Sequence, residues 1–576
     1  MDNLAIARIL REIADLLEIK TENPFKIRAY RNGADIVANH PHQLASLDAP
    51  GLREIPGIGK DLAARILEIA QTGDAVSHRE LVAEFPPTML DLLHLQGVGP
   101  KTVATLYREL DIRTLDDLQQ AATDGRIRSL RGMGAKKERL ILKALEERRR
   151  HAGRHLLSDA HDAAAALVGY LRERAPAADI EPVGSLRRGC DTCGDLDILA
   201  SGAGGSLMDD FVGHELVDRV LVHGATKSSV LTRGGFQADL RLVPPESRGA
   251  ALQYFTGSKA HNIALRDRAI DLGFTLNEYG LFRTDDGTSV AGAREEALYE
   301  ALGLAWIPPE LREGRGELEA AAARQLPRLV DRADLRGDLH MHTTETDGKD
   351  TVAAMAAAAH DAALEYVAIT DHSQSLAMAN GLDERRVIEH AERIRALDGQ
   401  IGGVRLLAGI ECDIKPDGTL DLADDCLAAL DIVVASVHSA FNQDRQQMTD
   451  RLLRTLENPH VDILGHPTGR RILQREPYPL DMETVIARAA EVGAALEINA
   501  SAHRLDLNDT HARLARDRGA RLVISSDSHS RHGVGALRWG VLVARRAWLE
   551  PKDVLNTLSF EAFRAELRRS RVKQSR

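Results

Sequence analysis

The residues able to do chemistry fall into two sets, far apart in the chain. In the first, Gly184-Ser185-Leu186-Arg187-Arg188-Gly189 is closely followed by Gly194-Asp195-Leu196-Asp197-Ile198-Leu199. Alternate residues of a strand face the same way, so Asp195 and Asp197 share a face while Leu196 and Ile198 pack behind it. Neighbouring carboxylates repel unless a cation lies between them, and hard oxygen ligands of this kind suit Mg²⁺ shared with substrate phosphates. Asp239, in the strand-like run Ala238-Asp239-Leu240-Arg241-Leu242-Val243, is a third carboxylate. If the two strands pair, three aspartates converge on a two-metal site for in-line phosphoryl transfer. The glycine-serine turn and Arg188 then offer donors for a triphosphate. A lone Asp-x-Asp is more often a plain exposed strand face; the turn upstream favours the site.

The second set begins at Gly337-Asp338-Leu339-His340-Met341-His342, with Asp347 in the loop beyond. It continues through His372, Glu411, His438, His466, Asp527 and His529. Nearly all follow short apolar, β-branched runs separated by helical stretches, the pattern of repeated βα units with functional residues at the strand C-termini. One histidine at a strand end is usually structural. Nine candidate ligands delivered this way call for metal, and imidazole mixed with carboxylate suits Zn²⁺, Mn²⁺ or Fe²⁺ more than Ca²⁺. They are too many for one ion, so two or three are expected. Lys415, Arg470 and Arg504 are candidates for holding a phosphate there.

The elements that position these sets belong to a long, ordinary globular chain. It has 576 residues, 44% hydrophobic and 28% charged, which suggests several domains. No apolar run reaches the ~18 residues of a membrane span, and the N-terminus has no signal-peptide pattern, so a cytoplasmic location is expected. Cys190 and Cys193 have redox or zinc spacing, but no second pair completes a zinc site, and they are read as incidental. The net charge is −12, unevenly spread: residues 1–150 carry 23 Lys+Arg against 22 Asp+Glu, so the acidity lies in the remainder. Contact with nucleic acid is therefore local and salt-sensitive.

That N-terminal stretch holds three similar segments, Ile55-Pro-Gly-Ile-Gly-Lys60, Leu95-Gln-Gly-Val-Gly-Pro-Lys101 and Leu130-Arg-Gly-Met-Gly-Ala-Lys136. Each closes one amphipathic helix pattern and opens another. Paired glycines permit a tight turn, and the next helix presents free N–H groups to a phosphate. Gly57, Gly59, Lys60, Gly97, Gly99, Lys101, Gly132 and Gly134 are thus candidate contacts for a DNA backbone, read without regard to sequence.

Residues 184–197 resemble the nucleotidyltransferase signature of family X DNA polymerases. Tyr254-Phe255-Thr256-Gly257-Ser258 resembles that family's nucleotide-binding turn, with the aromatic pair against the sugar. Asn262 and Arg266 fall where the family faces the incoming and templating bases, and Asn277-Glu278-Tyr279-Gly280 matches the motif closing that subdomain. The resemblance implies nucleotide contacts from Gly184, Ser185, Arg188, Gly194, Tyr254, Phe255, Gly257, Asn262 and Arg266, with Arg154 a further triphosphate contact. It also matches Lys26, Tyr30 and Arg31 to a segment that contacts the 5′ phosphate side of a gap. In members that remove a 5′ deoxyribose phosphate, a lysine forms a Schiff base one turn into the helix after Pro-Gly-x-Gly. Here Arg65 stands there, too basic for that role, and Lys60 is a weak substitute. The second set resembles the PHP (polymerase and histidinol phosphatase) domain, with all nine metal positions filled.

The expected architecture is therefore multidomain α+β and α/β. Residues 1–80 form a helical gap-binding domain, and 81–150 a helical subdomain with two further helix-hairpin-helix units. A nucleotidyltransferase palm (151–245), a thumb-like nucleotide-selecting subdomain (246–315), a linker helix (316–336) and a TIM-like PHP barrel (337–576) follow. The resemblance implies a gap-filling DNA polymerase using Mg²⁺ and dNTPs on gapped or primer-template DNA. Its second site would be a 3′–5′ exonuclease or 3′-phosphatase, with AP endonuclease a further reaction open to it. A monomer is expected. Two alternatives are a PHP phosphatase of a small metabolite tethered to an inactive DNA-binding half, and a non-catalytic DNA scaffold. The intact aspartates and nucleotide-binding turn argue against the first, and the complete sets of charged atoms against the second.

Overall fold

The computed structural model describes the chain except residues 1–2, 21, 41–43, 86, 90–91, 93–97, 99, 131–132, 136, 140, 143–144, 146–152 and 569–576. It divides into two compact units, Met1–Gly153 and Arg154–Arg576. Gly97, Gly99, Gly132 and the Lys101 side chain lie outside the described residues.

The first unit is helical among the described residues. Helix Asn3–Ile19 carries Ile6, Leu10, Ile13 and Leu17 on one stripe, buried against Val37, Ile66 and Ile69 of its neighbours, as an apolar face of helical period requires. Asn23 caps helix Pro24–Asn39 by accepting from the Phe25 N–H, with proline at the first turn where its missing donor costs nothing. Gly57 has φ +90°, and a Cβ there would lie 2.5 Å from Ile36 Cδ1, so only glycine fits the turn. Gly59 then leads into helix Lys60–Thr72.

The second unit contains β1 (His155–Leu156), β2 (Asp179–Pro182), β3 (Thr192–Cys193), β4 (Asp195–Ser201), β5 (Val217–His223), β6 (Lys227–Thr232) and β7 (Gln237–Val243). Five of these form a sheet in the order β2-β4-β7-β6-β5, with β4 and β7 parallel. Leu196, Ile198 and Ala200 pack with Ala164, Leu167 and Leu171 of helix Leu157–Arg174. Leu199, on the opposite face, packs with Ala251 and Leu252 of helix Arg248–Thr256. Strand alternation therefore puts Asp195 and Asp197 on the Arg248–Thr256 side.

Next, β8 (Phe274–Asn277), β9 (Gly280–Arg283) and β10 (Ser289–Ala291) form a small antiparallel sheet. Beside it Glu295 is buried between two arginines, Arg187 (3.0 Å) and Arg312 (2.6 Å). The linker helix expected over 316–336 is much shorter, Glu317–Ala322. Arg324 takes φ +55° and Pro327 lacks an N–H, which together end it. The rest is packed down instead, with Val330 buried and its N–H bonded to the Leu549 carbonyl (2.9 Å).

The last domain holds β11 (Gly337–Asp338), β12 (Tyr366–Ile369), β13 (Arg405–Asp413), β14 (Ile432–Ser436), β15 (Ile463–Leu464), β16 (Ala495–Asn499) and β17 (Arg521–Ser525). These pair in parallel in sequence order, and a bridge between Met341 and Ser528 joins the first strand's end to the last. The result is a seven-stranded, TIM-like barrel. Its floor is Leu339, Tyr366, Leu407, Ile432, Val434, Ile463 and Val523, stoppered by Phe560 and Phe563 of the C-terminal helix. Among the described residues no helix is long and apolar enough to cross a membrane.

Candidate active sites

In the palm, the β4–β7 register sets Asp197 directly beside Asp239, and Asp195 lies on the same face two residues earlier. Burial first, then the charges of Asp195 and Asp239, push the Asp197 carboxyl up to about 6. Asp239 is held below the usual carboxylate range although burial opposes this, chiefly by Lys227 Nζ at 2.9 Å. The charges of Asp195 and Asp239 raise the proton affinity of Asp197, a repulsion that a divalent cation relieves, so the residues fit Mg²⁺.

Gly184 opens the turn above them. Its φ is +66°, and a Cβ would lie 2.8 Å from Asp197 Oδ2, so the backbone approaches the carboxylate as only glycine allows. A cavity of about 750 Å³ spreads from the aspartates, lined by Ser185, Arg188, Gly194, Tyr254, Phe255, Gly257, Asn262 and Arg266 among others. All the residues read as nucleotide contacts thus meet at one cavity. Arg154 lines it too and donates to the Thr192 hydroxyl and carbonyl, both at 2.7 Å. Phe255 is held by the Arg241 guanidinium, 4.3 Å from its ring centre. Asn262 accepts from Gln253 (2.8 Å) and donates to the Tyr254 carbonyl (2.7 Å), which orients its amide.

In the barrel the ligand set stands at the C-terminal mouth. Continuing the inward alternation, Leu407 leads to Glu411, Val434 to His438, and Val523 to Asp527, so in β13, β14 and β17 one face runs from floor to site. His342, Asp347, His372 and His529 form one group, His340, His342 and Asp527 a second, and His372, Glu411 and His438 a third. Glu411 lies at their centre, with Oε2 2.8 Å from His372 Nδ1 and Oε1 3.0 Å from His466 Nε2. Yet His340 Nε2, both His342 nitrogens, His372 Nδ1 and Glu411 Oε2 are buried without an aligned hydrogen bond. Buried polar atoms demand partners, and lone pairs so gathered fit cations.

Supporting residues emerge that sequence reading missed. Glu497 accepts from His340 Nδ1 (2.8 Å) and the His466 N–H (2.7 Å). Asp413 holds His438 Nδ1 at 2.5 Å. A carboxylate within the apolar run Ala494-Ala495-Leu496-Glu497-Ile498 is the signal the sequence offers for Glu497. Arg470, read as a phosphate-holding candidate, is engaged elsewhere: it pairs with Asp191 of the palm (2.8 Å) and donates to the Arg504 carbonyl (2.8 Å). Arg504 Nε stays by the site, 3.4 Å from Asp527 Oδ2, and Lys415 sits exposed in the turn after β13.

In the first unit Lys26 and Lys60 are exposed. Arg31 pairs with Asp15 (2.8 Å) and Glu18, and Arg65 is bound to Glu68.

A nucleotidyltransferase palm and thumb joined to a metal-ligand barrel define the class of enzyme. Family models agree over most of the chain: helix-hairpin-helix domain (residues 1–75), SAM-like helix-hairpin-helix tandem (89–147), DNA polymerase beta thumb (251–313) and PHP domain (338–501). The chain is 37% identical to the DNA polymerase/3′-5′ exonuclease PolX of Bacillus subtilis over 98% of its own length and 99% of that protein's. Probable phosphatases of Thermoanaerobacter sp. (31%) and Shewanella sediminis (33%) match 38% of this chain and 89% and 88% of their own. The chain belongs to the bacterial family X DNA polymerases that carry a C-terminal PHP domain.

Proposed function

We propose that this enzyme adds nucleotides to a primer 3′ end in short gaps during DNA repair, and that its barrel hydrolyses phosphoesters at DNA 3′ ends. The observation that carries the reading is the pairing of Asp197 with Asp239, with Asp195 on the same face, at a nucleotide-sized cavity. The three aspartates would hold Mg²⁺, which when bound offsets phosphate charge and aligns attacking and leaving oxygens. The chain's own groups do the rest. Ser185, Arg188 and the Gly184 turn hold the triphosphate, Tyr254 and Phe255 lie on the sugar, and Asn262 and Arg266 face the bases. Asp239, kept ionised by Lys227, accepts the proton of the primer hydroxyl.

In the barrel His340, His342, Asp347, His372, Glu411, His438, His466, Asp527 and His529 would hold two or three ions, Mn²⁺, Zn²⁺ or Fe²⁺. When bound, such ions would supply Lewis acidity toward a phosphoester. Glu497 and Asp413 orient His340 and His438 through their Nδ1 protons, and Arg504 meets the phosphate. The exonuclease named in the Bacillus relative supports a diester at a 3′ end as substrate. Lys26, Tyr30, Arg31, Lys60 and the glycine turns of the first unit hold the DNA backbone. We read the enzyme as a monomer of the cytoplasm.

The test follows a labelled primer on a one-nucleotide gap with dNTPs, in Mg²⁺ and in Mn²⁺. Asp197→Ala should lower extension by about a thousandfold or more and leave shortening intact; a His340→Ala/His342→Ala variant should do the reverse. A wild type that shortens the primer and never extends it would overturn the polymerase reading.

A further inference from the structure

The triphosphate-binding turn is completed by residues from outside the palm. Arg188 donates through Nε to Glu313 Oε1 (3.0 Å) and through Nη1 to the Thr256 carbonyl (2.6 Å). The same Glu313 oxygen accepts from Arg546 Nη1 at 2.8 Å, and Arg546 belongs to helix Leu537–Arg546 of the barrel domain. Arg546 also donates to the Arg188 carbonyl (3.0 Å) and meets Asp509 (3.0 Å), which Arg315 shares (2.9 Å). Arg546 is only 7% exposed, so its charge acts with little screening. A second link is independent of the first: barrel Arg470 meets Asp191, in the same turn, at 2.8 Å.

Two carboxylates, Glu313 and Asp191, therefore flank the turn. Left alone, Glu313 would cancel the charge of Arg188 and Asp191 would repel a triphosphate. Each is met by an arginine of the barrel domain. With Arg188, Arg315 and Arg546 against Glu313 and Asp509, the cluster keeps one net positive charge behind Arg188, which lines the cavity.

We propose that Arg546 and Arg470 are positioning residues for nucleotide binding, so that the phosphoesterase domain completes the triphosphate site of the polymerase. This rests on the polymerase reading above. Replacing Arg546 by an apolar residue frees Glu313 to neutralise Arg188 and loosens the Arg188 backbone. Replacing Arg470 exposes the charge of Asp191, and Asp191→Asn should cancel that effect.

The experiment uses the full chain and dTTP binding to a gapped DNA whose primer ends in a dideoxynucleotide, with Mg²⁺ present, so that no chemistry occurs. Arg546→Met should weaken dTTP by about tenfold, raise KM in parallel and change kcat by less than about threefold. Arg546→Lys should recover much of the loss. Arg470→Met should also weaken dTTP, and Arg470→Met/Asp191→Asn should restore it. The melting temperature of Arg546→Met should fall, because Glu313 and buried Asp509 each lose a partner, so binding is measured well below it; there the Mn²⁺-dependent nuclease of the same preparations should stay near wild type. The inference falls if folded Arg546→Met binds dTTP within about twofold of wild type. It falls equally if affinity drops only in step with nuclease activity, or if the Arg470→Met/Asp191→Asn pair fails to recover. If wild type binds no dTTP, the polymerase reading falls with it.

Discussion

At the scale of single residues, the two sites differ in what holds them. Asp197 depends on how closely backbone can approach, because Gly184 stands where a Cβ would meet Oδ2. Gly184→Ala should therefore displace the carboxylate and reduce nucleotide incorporation by about a hundredfold, with a lower melting temperature from the strained backbone, while nuclease activity holds. The barrel's candidate ligands depend on carboxylates behind them, Glu497 behind His340 and Asp413 behind His438. Glu497→Gln keeps shape but removes the charge that fixes His340, and should weaken Mn²⁺ binding to the barrel about 10–100-fold. Calorimetric titration of Mn²⁺ checks this, with polymerase extension unaffected. The sequence shows two adjacent arginines, Arg187 and Arg188, with nothing to separate them. Folding gives Arg187 to Glu295 and Thr256 and leaves Arg188 at the cavity.

At the scale of elements, strand alternation does most of the positioning. In β13, β14 and β17 a period of two, apolar at the strand start and polar at its end, builds floor and site from the same face. The floor is closed by a contact across nearly two hundred residues of chain: the Phe563 ring stacks on Tyr366 with centres 5.1 Å apart. Phe563 is fully buried, so Phe563→Ala should destabilise the barrel-containing unit by about 3–5 kcal/mol. Chemical denaturation followed by hydrogen exchange in β12 and β13 reads this out. The linker shows the limit of composition. Its Ala/Glu-rich stretch favours helix, but Arg324 and Pro327 end it early, and packing of Leu326, Leu329 and Val330 decides the rest.

At the scale of the whole molecule, buried ion pairs join thumb, palm and barrel within the second unit. Although burial opposes it, Arg312 and Arg187 hold Glu295 down to about 2, and Arg546 and Arg188 do the same for Glu313. Both folded values lie below the ordinary 4.5, so the stabilisation is fully present above that pH and lost as pH falls toward 2. Each pair contributes up to about 3 kcal/mol. Melts from pH 6 to pH 3 should show the second unit losing stability below pH 4.5. Glu295→Gln should cost about 3–5 kcal/mol at neutral pH, because Arg312 is left buried and unpaired, and should flatten that acid dependence.

The sequence alone determined the two sets of reactive side chains, because strand and turn periodicities are local and put like residues on one face. It also carried the order of the domains through motifs that need only short spacing. Tertiary structure alone decided which charges meet. Asp197 and Asp239 become neighbours through a parallel register that no local pattern encodes. Arg470, Arg546 and Glu313 acquire their partners more than a hundred residues away, since ion pairs between domains depend on how whole surfaces pack.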